Sequence, residues 1–179
     1  VYFLPSKGYL FDFNVSSNNL NVNDAKLNWN LKSFRNSRSP TYENRYTYLN
    51  YKNDDDIEDL SAYSDDSETG NAKWISYSQH FFNSFVIFND VKKNIKFNTV
   101  NIDSDDDDIK YLKLFETQVP LINDSRNQIN ESLKLYIGPN DYYVLNESYD
   151  GISDSIWFGW GIFGWINENI FFPLYYYLS

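Results

Sequence analysis

The sequence predicts a mainly β protein, a β-sandwich followed by one C-terminal amphipathic helix. Three observations carry this. Apolar and polar residues alternate with a period of two in run after run, the pattern of strands with a buried face. Helical spacing is sparse until the last two dozen residues. Aromatic residues make up 20% of the 179 residues, with 16 Tyr, 14 Phe and 5 Trp, which is ample apolar payload for a core.

The elements follow in order. Tyr9, Phe11 and Phe13 share one face against Leu10, Asp12 and Asn14, and Leu27, Trp29 and Leu31 share one against Asn28, Asn30 and Lys32. Tyr46, Tyr48 and Asn50 face one way and Thr47, Leu49 and Tyr51 the other. Residues 36–40, Asn-Ser-Arg-Ser-Pro, read as a loop. Residues 54–72 carry eight acids and end at Gly70-Asn71, and read as a solvated polar insert with at most a turn of helix. Strand-like runs return at 73–77, 85–88, 95–102, 111–119 and 133–137. Gly is scarce, at 7, and Asn is abundant, at 24, so Asn is expected to supply the turns. An AT-rich genome accounts for the same excess.

Residues 1–155 thus form the sandwich domain, and residues 156–179 differ in kind. From Ile156 to Leu178, 16 of 23 residues are hydrophobic and 10 are aromatic. That length could span a bilayer. Asn167, Glu168 and Asn169 stand in its middle, and Pro173 removes a hydrogen bond to the carbonyl of Asn169. A helix lying in the membrane interface is the better reading, since Phe163, Ile166, Ile170, Leu174 and Leu178 recur at three- and four-residue spacing. Periodicity alone also fits a helix packed over one sheet. The charges shift the balance: after Lys134 there is no Lys or Arg, so membrane contact by this segment must be apolar and aromatic. A segment without positive charge beside a membrane belongs on the outer side. Trp160, Phe163, Trp165, Ile166, Ile170, Phe171 and Leu174 are the expected membrane-interface residues.

Composition excludes several chemistries. There is no Cys, hence no disulfide framework and no thiolate site. Lys plus Arg is 15 against 25 Asp plus Glu, a net charge of −10, which argues against nucleic acid as a partner. With no Met anywhere, the chain is expected to be a fragment or a processed product. Asp103, Asp105 and Asp107 match the first three ligand positions of a calcium loop, but Asp108 stands where Gly is needed and Leu114 where a bidentate Glu is needed. A solvated turn is the reading there, and no metal or cofactor is expected. His80, the one His, lies among aromatic residues with no nucleophile or paired carboxylate nearby in sequence, and reads as packed rather than catalytic. Sequons at Asn14, Asn123, Asn130 and Asn146 carry no weight in so Asn-rich a chain. No catalytic residue is assigned, and the chain reads as a non-enzyme.

Three stretches taken together resemble a known family. They are Lys73 to Phe85 (KWISYSQHFFNSF), Leu133 to Pro139 (LKLYIGP), and Trp160 to Ile166 (WGIFGWI) running on to Pro173-Leu174. In that order they resemble the large periplasmic domain of membrane protein insertases of the YidC/Oxa/Alb family, with a Bacteroidota-like character in the third. The resemblance implies a sandwich of the supersandwich type, an interfacial helix leading toward a transmembrane segment outside this chain, and a site at the periplasmic face of the bacterial inner membrane. It implies as partners the inner-membrane lipid bilayer, accessory subunits of the Sec translocon and nascent membrane proteins. Trp74, Phe81, Phe82, Gly138 and Pro139 are its structural motif residues, with Trp74, Phe81, Phe82 and Phe85 expected in the core. Relatives begin earlier, so early strands are expected to be missing. The long acidic inserts depart from the family pattern. The alternative class is a secreted carbohydrate-binding module using exposed Tyr and Trp as stacking platforms. A mutarotase-like enzyme on the same fold would need converging acid and base groups that one His hardly supplies.

Overall fold

The structure, a computed structural model, describes residues 2–3, 8–17, 25–54, 56–102, 110–121, 128–157 and 161–178, and for 2–3 and 161–163 the backbone alone. Nine strands are present among them: β1 Tyr2–Phe3, β2 Leu10–Ser17, β3 Lys26–Phe34, β4 Tyr48–Asn53, β5 Asp56–Asp59, β6 Asp66–Ser78, β7 Phe82–Asn101, β8 Tyr111–Pro120 and β9 Ile129–Pro139. Every pairing is antiparallel.

The long β6–β7 hairpin organises the sandwich. Its first half joins a larger layer ordered β1-β2-β9-β7-β6-β4-β5, and the rest of β7 pairs with β8, which pairs with β3. The crossing point is a bend. Between the pairs Gly70↔Ile95 and Trp74↔Ile87, four steps along β6 are matched by eight along β7. Asn94 takes a left-handed conformation there (φ 57°), which Asn tolerates better than most residues, and Asn71 Oδ1 accepts its N–H at 3.2 Å. The inward face changes phase across the bend. Val86 and Phe88 point into the core before it, and Ile95 and Phe97 after it. The sequence runs 85–88 and 95–102 are therefore one strand.

The core between the layers holds Leu49, Ile75, Tyr77, Phe88, Phe97, Phe115 and Leu133, flanked by Phe13, Leu27, Trp29 and Leu31. Tyr77 ties the layers together. Its ring stacks on Trp29 at 3.8 Å and its hydroxyl donates to the Trp29 carbonyl or to Thr117 Oγ1, both 2.7 Å away. The larger layer is covered on its other face too, by a second cluster of Trp74, Phe85, Ile87, Tyr136, Leu145 and Ile152. Burial on both faces explains why Trp74 to Ser78 and Asn83 to Phe88 are buried at every position.

Two expectations are corrected. The polar stretch 54–72 is not a loop: it contains β5 and the start of β6. Asp56, Glu58 and Asp59 stand on an edge strand and Glu68 is exposed on β6, where strand pairing is made by the backbone and side chains are free to be charged. Helices also occur where none was expected. The five-residue α1, Pro40–Asn44, begins at the end of the 36–40 loop, capped by Ser39. The seven-residue α2, Tyr142–Ser148, follows β9. The acidic run 103–108 lies outside the described residues.

Candidate functional site

The C-terminal segment is fixed to the sandwich in two steps. Asp141 starts α2: its Oδ1 accepts from the N–H groups of Tyr143 at 3.0 Å and Val144 at 3.1 Å. Leu145 and Ile152, each fully buried, press this segment onto the larger layer. Asn50 Nδ2 donates to the Ser155 carbonyl at 3.4 Å, and Lys52 pairs with Asp154 at 2.8 Å. The chain is held as far as Ile156.

The tail then runs as α3, Gly161–Ile166, a π-helical turn at 167–171, and α4, Phe172–Leu178. The π turn lies immediately before Pro173, which has no N–H and whose ring crowds the preceding turn. The wider turn accommodates it, with the Phe172 N–H bonded to the Asn167 carbonyl. Asn169 Nδ2 donates to the Trp165 carbonyl at 3.0 Å. Among the described residues no helix is long and apolar enough to cross a membrane.

Phe172 and Tyr176 make the tail's contact with the domain. Phe172 stacks on Tyr143 at 5.4 Å and meets Tyr142 edge-on at 5.6 Å, and Tyr176 lies 4.1 Å from Tyr143. Leu174 and Leu178 each stand two residues further on, about 200° around the helix from these contacts. Of the expected apolar stripe, Leu174 and Leu178 therefore face away from the domain. Ile170, Phe171 and Leu174 are 46%, 59% and 52% exposed, Trp165 is exposed as well, and Ile166 is half-buried. The backbone of Phe163 lies in α3, its side chain is not described, and Trp160 lies outside the described residues.

The motif residues divide. Trp74 and Phe85 are buried and meet edge to face at 5.4 Å. Gly138 is confined: a Cβ there would come within 2.6 Å of the Tyr9 ring and 2.8 Å of the Tyr136 hydroxyl. The same hydroxyl donates to the Pro139 carbonyl at 2.7 Å. Phe81 and Phe82, expected in the core, are 50% and 53% exposed. They occupy the turn and first position of the β6–β7 hairpin, beyond the end of the core. His80 is packed among rings there, 4.3 Å from Phe81, 5.0 Å from Tyr46 and 5.7 Å from Tyr42.

Asn140 was not anticipated. It accepts from Asn83 Nδ2 at 3.1 Å, donates to the Gln79 carbonyl at 3.0 Å, and its N–H donates to the Phe81 carbonyl at 3.0 Å. It thereby holds the hairpin turn beside the start of α2. Tyr142 and Tyr143 were not anticipated either. Their one sequence signal is an Asp followed by two aromatic residues just after a strand.

Elsewhere the structure offers little for chemistry. No group of His, Cys, Asp or Glu able to hold a metal is present among the described residues. A shallow cleft of about 670 Å³ lies on the outer face of the smaller layer, lined by Asn28, Asn30, Lys96, Asn98, Glu116 and Gln118. Phe97, the ring among its lining residues, is turned into the core, so the cleft presents no stacking platform. Lys113 is fully buried, with Nζ donating to the carbonyls of Thr47 at 2.7 Å and Ala62 at 2.9 Å. Desolvation lowers its pKa to about 8, against an opposing pull from Asp65. Burial likewise raises the phenols of Tyr77 and Tyr136 well above 10. These are buried groups of the scaffold, not a convergent acid–base pair.

Comparison with known proteins agrees with this architecture. The chain is 28% identical over 196 residues to the membrane protein insertase YidC of Parabacteroides distasonis, covering 100% of this chain and 30% of that protein. It is 26% identical over 195 residues to that of Bacteroides fragilis, covering 100% and 31%. It is 27% identical over 201 residues to that of Azobacteroides pseudotrichonymphae, covering 100% and 31%. The chain thus spans under a third of the length of these relatives. The family described as the YidC periplasmic domain matches residues 2–173, and with a β-sandwich and an aromatic C-terminal helix along that whole match, the chain belongs to this family.

Proposed function

We propose that this domain is a non-catalytic scaffold of a membrane protein insertase, set at the periplasmic face of the bacterial inner membrane. Its tail helix lies in the outer-leaflet interface, and its sandwich is a rigid body available for docking. The carrying observation is the orientation of the tail. Phe172 and Tyr176 turn toward α2, while Ile170, Leu174 and Leu178 turn outward. A helix held by one aromatic edge, with its aliphatic stripe exposed, suits an interface that takes apolar side chains on one side and polar ring tips on the other. Insertion of nascent membrane proteins requires no covalent chemistry, which accords with a site built for position. Accessory subunits of the Sec translocon are the partners proposed for the sandwich.

The test is flotation of the chain with phospholipid vesicles at low and high salt. The expected result is salt-resistant flotation that the double substitution Ile170→Asp, Leu174→Asp abolishes without changing the melting temperature of the sandwich. Equal flotation of both proteins would overturn the interfacial assignment of the tail.

A further inference from the structure

We propose that the free edge of β3 receives an extended apolar segment of a nascent membrane protein as an added strand, a reading that rests on the insertase role proposed above. The smaller layer covers only part of the larger one. Phe97 of β7 stacks on Tyr51 of β4 at 4.3 Å, and Lys113 of β8 reaches the carbonyl of Thr47, the residue before β4. Trp29 of β3 stacks on Tyr77 of β6. The strands of the smaller layer thus step from β4 toward β6 and stop at β3, and among the described residues no strand pairs with its outer edge.

Exposure along the paired rows of the larger layer records where this cover ends. Leu49, Tyr77, Ser84 and Ile137 are successive partners on β4, β6, β7 and β9 and share the inward face. They are 0%, 0%, 6% and 60% exposed. In the next row Ile75 and Val86 are buried, while Leu135 and Phe11 are half-buried. An uncharged strip is therefore left open over β9 and β2, with β3 as its border.

The chemistry of the strip defines its occupant. The Leu121 N–H donates to the Ala25 carbonyl at 2.8 Å, so in this register the odd-numbered residues of β3 bond β8. The backbone N–H and C=O groups of Asn28, Asn30 and Lys32 are thereby turned to the open side, where an extended backbone satisfies them. Ser84 points into the strip, and its hydroxyl has no hydrogen-bond partner among the described residues. A second copy of this chain fits poorly: in the antiparallel pairing centred on Trp29, Lys26 of one copy stands opposite Lys32 of the other. The strip also ends beside the tail. Phe82 pairs with Pro139, and Asp141 starts the helix that holds Phe172 and Tyr176. A membrane-protein segment outside the bilayer has apolar side chains and unpaired backbone groups, and this edge answers both.

The probe is a fluorescein-labelled peptide of alternating Val and Thr with a Lys at each end, titrated with the whole chain and followed by anisotropy. Saturable binding is expected. Asn30→Pro removes an edge N–H that β8 does not use, and Ile137→Glu places a charge on a residue already 60% exposed, so both variants should stay folded. Each should weaken peptide binding about tenfold and leave vesicle flotation unchanged, since neither touches the tail. No saturable binding by a chain that floats, or undiminished binding by both variants, overturns the added strand and leaves the tail assignment standing. A dimer in sedimentation that Asn30→Pro dissociates gives the edge to a second copy. Peptide binding by this chain that the full-length insertase of Parabacteroides distasonis lacks gives it to a strand of the same polypeptide. Either result overturns the proposal. A chain that neither floats nor binds the peptide overturns both readings.

Discussion

Tyr143 and Phe172 stack with centroids 5.4 Å apart and 10° between their planes, joining the second residue of α2 to the first residue of α4. Tyr143 rides on a helix pinned by the fully buried Leu145, so the stack transmits the position of the sheet to the tail. An aromatic pair is worth about 0.5–1.5 kcal/mol beyond its area. Tyr143→Ala should therefore release the tail without unfolding the sandwich. Cleavage by limited proteolysis within 157–178 should accelerate severalfold while the main melting transition moves little. An unchanged cleavage rate would show that Tyr143 does not hold the tail.

Trp74 and Phe81 belong to the same sequence motif and should respond differently. Trp74 is 2% exposed against Phe85 and Ile152, and Trp74→Ala should cost about 3–5 kcal/mol in urea denaturation. Phe81 is 50% exposed, and Phe81→Ala should cost less than about 1 kcal/mol. Comparable losses at both positions would contradict the placement of the turn outside the core.

Tyr77→Phe keeps the ring stacked between Trp29 and Phe115 and removes the hydroxyl shared by the Trp29 carbonyl and Thr117. A loss of about 1–3 kcal/mol is expected, because the one acceptor that the O–H serves, the Trp29 carbonyl or Thr117 Oγ1, is left inside the sandwich without it. The double substitution with Thr117→Val should recover part of it, which a thermodynamic cycle measures.

Stability should rise with alkaline pH before it falls. Lys113 titrates near 8 in the folded protein and near 10.5 unfolded, so between these values the unfolded chain binds the extra proton and rising pH favours folding. The gain should reach roughly 2 kcal/mol by pH 10, at about 1.4 kcal/mol per unit. Above pH 10 the slope reverses. The phenols of Tyr77 and Tyr136 are held protonated by burial, and the unfolded chain releases their protons first. Urea midpoints from pH 7 to 11 should trace this maximum. Lys113→Met should remove the rising limb, and a rising limb that persisted would assign it to another group.

Gly138→Ala should destabilise the sandwich by about 1–3 kcal/mol through the collision with Tyr9 and Tyr136. Tyr9→Ala in the same chain should relieve only the part due to the ring, since it removes the nearest atom, Cγ at 2.6 Å, and keeps the Tyr9 Cβ at 2.8 Å.

Local pattern was enough for most strands. The alternation at 9–13 and 27–31 identified β2 and β3, because each buries one face and period two survives there. It could not join 85–88 to 95–102, since the phase of the inward face changes at the bend and a one-strand template fails across it. Nor could it find β5, whose residues Asp-Ile-Glu-Asp are polar because an edge strand draws its pairing from backbone rather than side chains. Phe81 looked like core from its neighbours and is surface, because the sheet ends before it does.

The sequence by itself determined the class of the fold, the family and the separate character of the tail, for these rest on alternation, motif order and composition, all local properties of the chain. The direction in which the tail's apolar stripe points was decided only by tertiary structure. Helical spacing defines a stripe but not its partner, and that choice was made by Tyr142 and Tyr143, some thirty residues away, which engage Phe172 and Tyr176 and turn Leu174 and Leu178 outward.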